Sequence, residues 1–172
     1  MGSRRQAREM ALQILCTMER QPELSADQAA TLFFKYQAYS NQDEEGEASA
    51  TPQAAVPTLN EDRIFSEQLV RGVSNYQSEI DGLLSRCSRN WRLERMSWVD
   101  RNLLRLASFE LLRCPQTPPR VAINEAIELA KRFGTAESSA FVNGVLDRML
   151  AELTRAAAVS AQSKVDTHHQ PA

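Results

Sequence analysis

Arg4, Arg5 and Arg8 stand at the head of RRQAREMALQIL, a stretch in which Ala7, Ala11, Ile14, Leu15 and Met18 repeat at three and four residues, the spacing of one helix face. The amino end of a helix carries the positive pole of the backbone dipole, so each cation there costs a few tenths of a kcal/mol or more. Three cations at that pole suit an anionic ligand. A solvated basic terminus, partly offset by Glu9, is the other reading, and the residues alone leave both open. A second group lies near the carboxyl end. At about 100° per residue, Val142, Val145, Leu146, Met149 and Leu153 point one way. Phe141 stands roughly a quarter-turn or more aside, on a stripe with Glu137, Gly144 and Arg148. A ring beside a basic residue can stack an unpaired base; packing against a neighbouring helix is the plainer reading of the residues alone.

Residue types suited to catalysis are sparse. The only two histidines, His168 and His169, adjoin each other in the terminal segment with no further ligand nearby, which makes a poor metal site. No nucleophile elbow, zinc-protease helix, CxxC pair, P-loop or dinucleotide fingerprint occurs. Glu125 and Glu128 share a helix with Lys131 and Arg132, and a salt-bridged face explains them better than paired acid–base work. The pattern points to a binding module, not an enzyme, with no cofactor and no metal.

The elements that must position these groups are helical throughout. Pro22 ends the first helix, and Ser25 with Gln28 forms a capping box that opens the second, along Ala29, Leu32, Phe33 and Tyr36. Residues 38–60 change character, with no Lys or Arg and a cluster of acids at Asp43, Glu44, Glu45 and Glu47. They read as a flexible acidic insertion, either simply solvated or a lure for a basic partner. Asn60 is the expected N-cap of a long helix striped by Phe65, Leu69, Val73, Tyr76, Ile80, Leu83, Leu84 and Cys87. That stripe is interrupted at Gly72 and Gly82, where a bend or a close approach is expected. Ser97 to Asp100 has capping-box spacing, and the following helix is apolar nearly all round, as befits the middle of a domain. Pro115, Pro118 and Pro119 divide it from VAINEAIELAKRFG, in which Glu128 is four residues before Arg132, the favourable order for a helix ion pair, and Gly134 closes the end. Beyond Leu153 the pattern fades, and residues 156–172 are expected to be a disordered tail.

The bulk numbers agree with a modest helical protein. In 172 residues, 42% are hydrophobic and 6% aromatic, and the net charge of −2 argues against a tight, non-specific polyanion binder. Cys16, Cys87 and Cys114 are odd in number and widely spaced, so they suggest neither a disulfide framework nor a zinc site but reduced thiols in the cytoplasm. No apolar run approaches the roughly 18 residues needed to cross a bilayer, and the charged amino terminus is not a signal peptide. MG opens a myristoylation pattern that Gln6 breaks.

RRQAREMALQIL, NWRLERMSWVDRNLLRLASFELL, PRVAINEAIELAKRFG and SAFVNGVLD, in that order, closely resemble the NusB family of bacterial transcription antitermination factors. The resemblance implies an all-α fold of six or seven helices in two small packed bundles. Within a single domain over residues 1–155, the amino-terminal bundle would occupy about 3–75 and the carboxyl-terminal one about 76–155. It implies binding of boxA-type single-stranded RNA together with the ribosomal protein NusE, in a complex with other Nus factors on RNA polymerase that supports ribosomal RNA transcription. Carried over by position, Arg4, Arg5 and Arg8 match the RNA-contacting end. Phe141 matches an aromatic associated with RNA, and Glu137 a position where the family often has an acid. Arg132 and Arg148 flank that surface, whereas Asp100 and Arg101 fall where the family meets NusE, although Asp100 is equally explained as a capping acid. Asn124 and Asn143 of the signature are expected to fasten helices. Self-association into a homodimer occurs in the family and is left open by these residues.

Two rivals remain at this level. A NusB-like domain also opens some ribosomal RNA cytosine methyltransferases, which need a further Rossmann-like domain for S-adenosylmethionine and catalytic cysteines, for which these 172 residues hold no sequence. A protein-only adaptor that has lost RNA affinity is the other.

Overall fold

A computed structural model describes residues 3–43, 56–88 and 90–166. Seven helices follow one another among them: α1 (Ser3–Arg20), α2 (Ala26–Asp43), α3 (Val56–Asn75), α4 (Gln77–Cys87), α5 (Trp98–Arg113), α6 (Pro119–Phe133) and α7 (Ser138–Asp166). A 3-10 turn, Leu93–Arg95, precedes α5, and no strand occurs among the described residues.

Local capping chemistry sets several of these boundaries. The Gln28 amide donates to Ser25 Oγ (3.2 Å) and the Ser25 amide donates to Gln28 Oε1 (2.9 Å), which completes the reciprocal box at the start of α2. At α5 only half of the box forms. The Asp100 amide donates to Ser97 Oγ at 3.0 Å, while Asp100 Oδ1 is buried without a hydrogen-bond partner. Proline at the first position opens α6, where its missing N–H costs nothing.

The apolar stripes bury into two clusters. One joins α1, α2 and α3 through Ala7, Ala11, Ile14, Ala29, Leu69 and Val70. The other joins α4, α5, α6 and α7 through Ile80, Leu84, Leu103, Leu104, Leu146 and Met149. Helix α5 serves both, because Leu106 enters the first cluster while Leu103, Leu104 and Ala107 enter the second. Each fully buried Leu contributes about 1.5–3 kcal/mol relative to exposure. The all-round apolar sequence of α5 thus follows from its place between two cores.

Four local expectations are corrected. Helix α3 begins at Val56, so Asn60 lies inside it and is not its cap. The long stripe breaks at Tyr76 (φ −108°, ψ 14°) and not at either glycine. The Tyr76 ring there stacks on Phe109 (6.2 Å, 25°), whose own ring crosses Gly72 so closely that a Cβ would meet Cζ at 2.0 Å. Gly72 is therefore a close-approach site, whereas a Cβ on Gly82 would meet nothing within 4 Å. Helix α7 continues to Asp166, so the terminal segment is helical well past Leu153, with residues 154–160 exposed. Lastly, Glu128 pairs with Lys131 (2.8 Å) and not with Arg132.

The acidic insertion falls mainly on residues 44–55, outside the described residues, as do His168 and His169. Cys16, Cys87 and Cys114 are all free thiols. Burial first, and then the Glu152 carboxylate 3.4 Å from its sulfur, push the Cys87 thiol up to about 11.

Candidate nucleic-acid interface

Helices α1 and α6 are bridged by two ion pairs. Arg5 forks onto Glu125, with Nε–Oε2 at 2.8 Å and Nη2–Oε1 at 2.7 Å, and Arg132 in the last turn of α6 donates to Glu9. Between them opens a groove of about 540 Å³, lined by Arg4, Arg5, Glu9, Val121, Glu125 and Arg132 among others. The Arg5 guanidinium holds the Glu125 carboxyl below the usual range, against the opposing effect of burial. Arg4 is exposed, its guanidinium 4.1 Å above the centre of the Phe65 ring, a cation–π contact that leaves its N–H groups available.

Arg8 behaves differently. It is only 5% exposed and forks onto Glu110 of α5, with Nε–Oε1 at 2.8 Å and Nη2–Oε2 at 2.7 Å. Expected on an RNA-contacting end, it is instead turned inward as half of a buried ion pair. The compensation missing from the sequence around Arg4, Arg5 and Arg8 comes from α5 and α6, more than a hundred residues away, through Glu110 and Glu125.

A second depression, about 290 Å³, opens beyond the end of α6 and is lined by Trp91, Asp100, Thr135, Glu137 and Phe141 among others. The chain leaves α6 tightly there. Gly134 donates its N–H to the Ala130 carbonyl (2.9 Å), and a Cβ at Gly134 would meet the Ser138 side chain at 2.5 Å. Ser138 Oγ accepts from the Thr135 amide at 2.9 Å, which anchors the first turn of α7 and with it Phe141. The Phe141 ring is half-buried, packs partly on the second core and meets Trp91 edge-on (5.6 Å, 63°). The packing reading of Phe141 is seen directly, and part of the ring stays exposed at the rim. Glu137 is exposed and accepts from Thr135 Oγ1 at 3.0 Å.

The groove and the depression share no lining residue, but α6 links them. From Glu125 to Arg132 is seven residues, about 10 Å of helix, and Thr135 of the depression follows three residues on. Arg148 stands apart from Arg132. It is exposed and donates to the Cys87 carbonyl (3.2 Å) at the end of α4.

Asp100 lines the depression, while Arg101 is drawn inward. Arg101 forks onto Glu19 (2.9 and 2.8 Å) and donates to the Leu93 carbonyl (2.8 Å). Arg105 reaches the same Glu19 (2.7 Å) and forks onto Asp81 (both 2.8 Å), so α1, α4 and α5 meet through one charged cluster. Burial would raise the Glu19 carboxyl, but the Arg101 hydrogen bonds and the charges of Arg101 and Arg105 outweigh it and hold it below the usual range. Asn124 and Asn143 both line a small cavity of about 260 Å³ between α6 and α7. Sequence reasoning did not single out Trp91; the signal was an aromatic set within the basic run SRNWRLER.

The sequence profile of the NusB family matches residues 5–151. A transcription antitermination protein NusB from Myxococcus xanthus is 44% identical over 155 residues, 90% of this chain and 99% of that protein. One from Desulforapulum autotrophicum is 44% identical over 149 residues, 87% of this chain and 92% of that protein. Among solved structures, T. maritima NusB superposes with a TM-score of 0.66 at 34% identity, covering 87% of this chain and 91% of that one. A chain from the complex of antitermination factors NusB and NusE with double-stranded RNA superposes at 0.65 with 21% identity, covering 87% and 97%, a likeness of fold. Profile, full-length relatives and helix arrangement agree: the chain belongs to the NusB family.

Proposed function

We propose that this protein is a transcription antitermination factor that binds boxA-type single-stranded RNA together with NusE, within a complex of Nus factors on RNA polymerase that supports ribosomal RNA transcription. It acts in the cytoplasm by binding and not by catalysis. The observation that carries this reading is that α6 leads from a groove lined by Arg4, Arg5 and Arg132 to a depression at its end lined by the half-buried Phe141. Cations that meet phosphates beside a ring that stacks a base are what unpaired RNA requires. The relatives matched over nearly their whole length bear the antitermination name, and the solved NusB–NusE complex of like fold holds double-stranded RNA. That favours this reading over a methyltransferase domain or a protein-only adaptor.

In this reading Arg4, Arg5 and Arg132 meet phosphates, Phe141 stacks a base, and Glu137 at the rim restrains polyanions of the wrong shape. Asp100, with an unpartnered buried oxygen at the start of α5, is the residue this reading assigns to NusE, at the edge of the same depression. Arg8 and Arg101 support these surfaces from beneath. The test is an anisotropy titration with a boxA-type single strand, with and without NusE, at two salt concentrations. Binding is expected to tighten with NusE, weaken with salt and weaken on Phe141→Ala. Equal binding by wild type and by a Phe141→Ala, Arg4→Gln, Arg5→Gln variant would sink the reading.

A further inference from the structure

We infer that Trp91, with Arg92 and Arg95, forms a further subsite for an unpaired nucleotide, extending the RNA path beyond Phe141 into the cleft along the connection between α4 and α5; this rests on the RNA-binding function proposed above.

Trp91 is 58% exposed and lines two cavities at once. One is the depression that holds Phe141, whose ring it meets edge-on. The other is a larger cleft of about 1040 Å³, lined also by Ser88, Asn90, Arg92, Glu94 and Arg95. A single exposed aromatic needs no explanation. One that joins a base-stacking ring to an open polar cleft has a place in a path.

The electrostatics support the same assignment. Arg5, Arg8, Arg101, Arg105 and Arg132 are each held by a carboxylate of the protein. Among the described residues, neither Arg92 nor Arg95 is within 4.0 Å of one, so a phosphate reaching them displaces no internal partner. Glu94 stands between them, leaving the cleft one positive charge in excess over these three side chains.

Helix α7 leads in the same direction. Arg148 is two turns beyond Phe141, about 10 Å along the axis, and donates to the Cys87 carbonyl, four residues before Trp91. Between Phe141 and Arg148 on that stripe, Gly144 has no side chain, and a Cβ there would meet nothing within 4 Å. The stripe from Phe141 to Arg148 is therefore uncrowded at Gly144. Exposed Trp and Arg also suit protein interfaces, but a cleft continuous with the Phe141 depression and supplied with uncommitted guanidiniums favours a nucleotide.

The test titrates the full chain with single-stranded boxA-type RNAs lengthened one nucleotide at a time at each end. Wild type is expected to gain affinity as the strand crosses Trp91. Trp91→Ala should lose about tenfold on the longer strands, the scale of one base–aromatic stack, and bind short strands as wild type does. Trp91→Phe should retain most of the gain, which guards against a trivial folding defect. Arg92→Gln with Arg95→Gln should lower the salt slope by about 1.4 for two phosphates on a single strand. If Trp91→Ala follows wild type at every length while Phe141→Ala is weakened, the subsite is wrong and the function stands. If Trp91→Ala weakens only NusE binding, the cleft is a protein surface and the subsite is again wrong. If the Phe141→Ala, Arg4→Gln, Arg5→Gln variant also binds as wild type does, the parent reading fails and takes this inference with it.

Discussion

Arg8 and Glu110 meet across the boundary between α1 and α5 as a two-pronged ion pair, with side chains only 6% and 1% exposed. The arginine sits on the first core's helix and the glutamate on the helix that serves both cores. The pair therefore fastens the amino-terminal bundle to the central helix directly beneath the arginines that face solvent.

Removing either partner leaves an unpaired charge in a dry site. Arg8→Ala or Glu110→Ala is expected to destabilise the protein by about 3–5 kcal/mol in urea or thermal unfolding. The paired replacement Arg8→Met with Glu110→Leu should recover most of that loss, because no charge is stranded. A single variant as stable as wild type would show the pair to be superfluous.

Glu19 makes stability depend on acid. Its folded carboxyl lies below the ordinary range because Arg101 and Arg105 outweigh burial. A depressed folded value means that the contribution is fully present above the unfolded carboxylate range and is lost as pH falls through the folded value. The stability difference between wild type and Glu19→Gln should be flat near neutrality and shrink below about pH 4.3. Denaturation curves at several pH values read it, and a gap that widens in acid contradicts the assignment.

Gly72 has no room for a methyl group, since the Phe109 ring crosses it. Gly72→Ala is expected to cost about 1–3 kcal/mol by overpacking. Phe109→Leu in the same chain should restore part of it, so that the two changes are not additive. Additive losses in a double-mutant cycle would place the strain elsewhere.

RNA binding should separate the arginines by their exposure, with Arg4 and Arg132 open to solvent and Arg101 drawn inward. Arg4→Gln and Arg132→Gln should each lower the salt slope by about 0.7 and change thermal stability little. Arg101→Gln should act the other way, lowering stability by loosening the Glu19 cluster while leaving the salt slope intact. Affinity at several salt concentrations, set beside melting curves, checks both halves.

Much of the fold could be read locally. The period of the apolar residues, the Ser25–Gln28 box, the prolines before α6 and the all-round apolar α5 are statements about residues within a few positions of each other, and the structure keeps them. The misjudged places were helix ends, which several neighbouring residues can set, and positions where a distant group intervenes. Asn60 offered a cap but α3 had already begun, and the long stripe broke where Tyr76 found Phe109 and not where glycine permitted a bend.

The candidate site divides along the same line. By itself the sequence determined which chemistry was available: cations at the head of one helix, a ring off the apolar face of another, and family motifs around them. Only the tertiary structure decided which cations were committed. It turned Arg8 onto Glu110 and Arg101 onto Glu19, left Arg4 open, and set Trp91 against Phe141. Helix formation is governed by neighbours three and four residues apart, whereas a guanidinium takes its partner from whichever carboxylate the packing of separate helices brings within 3 Å.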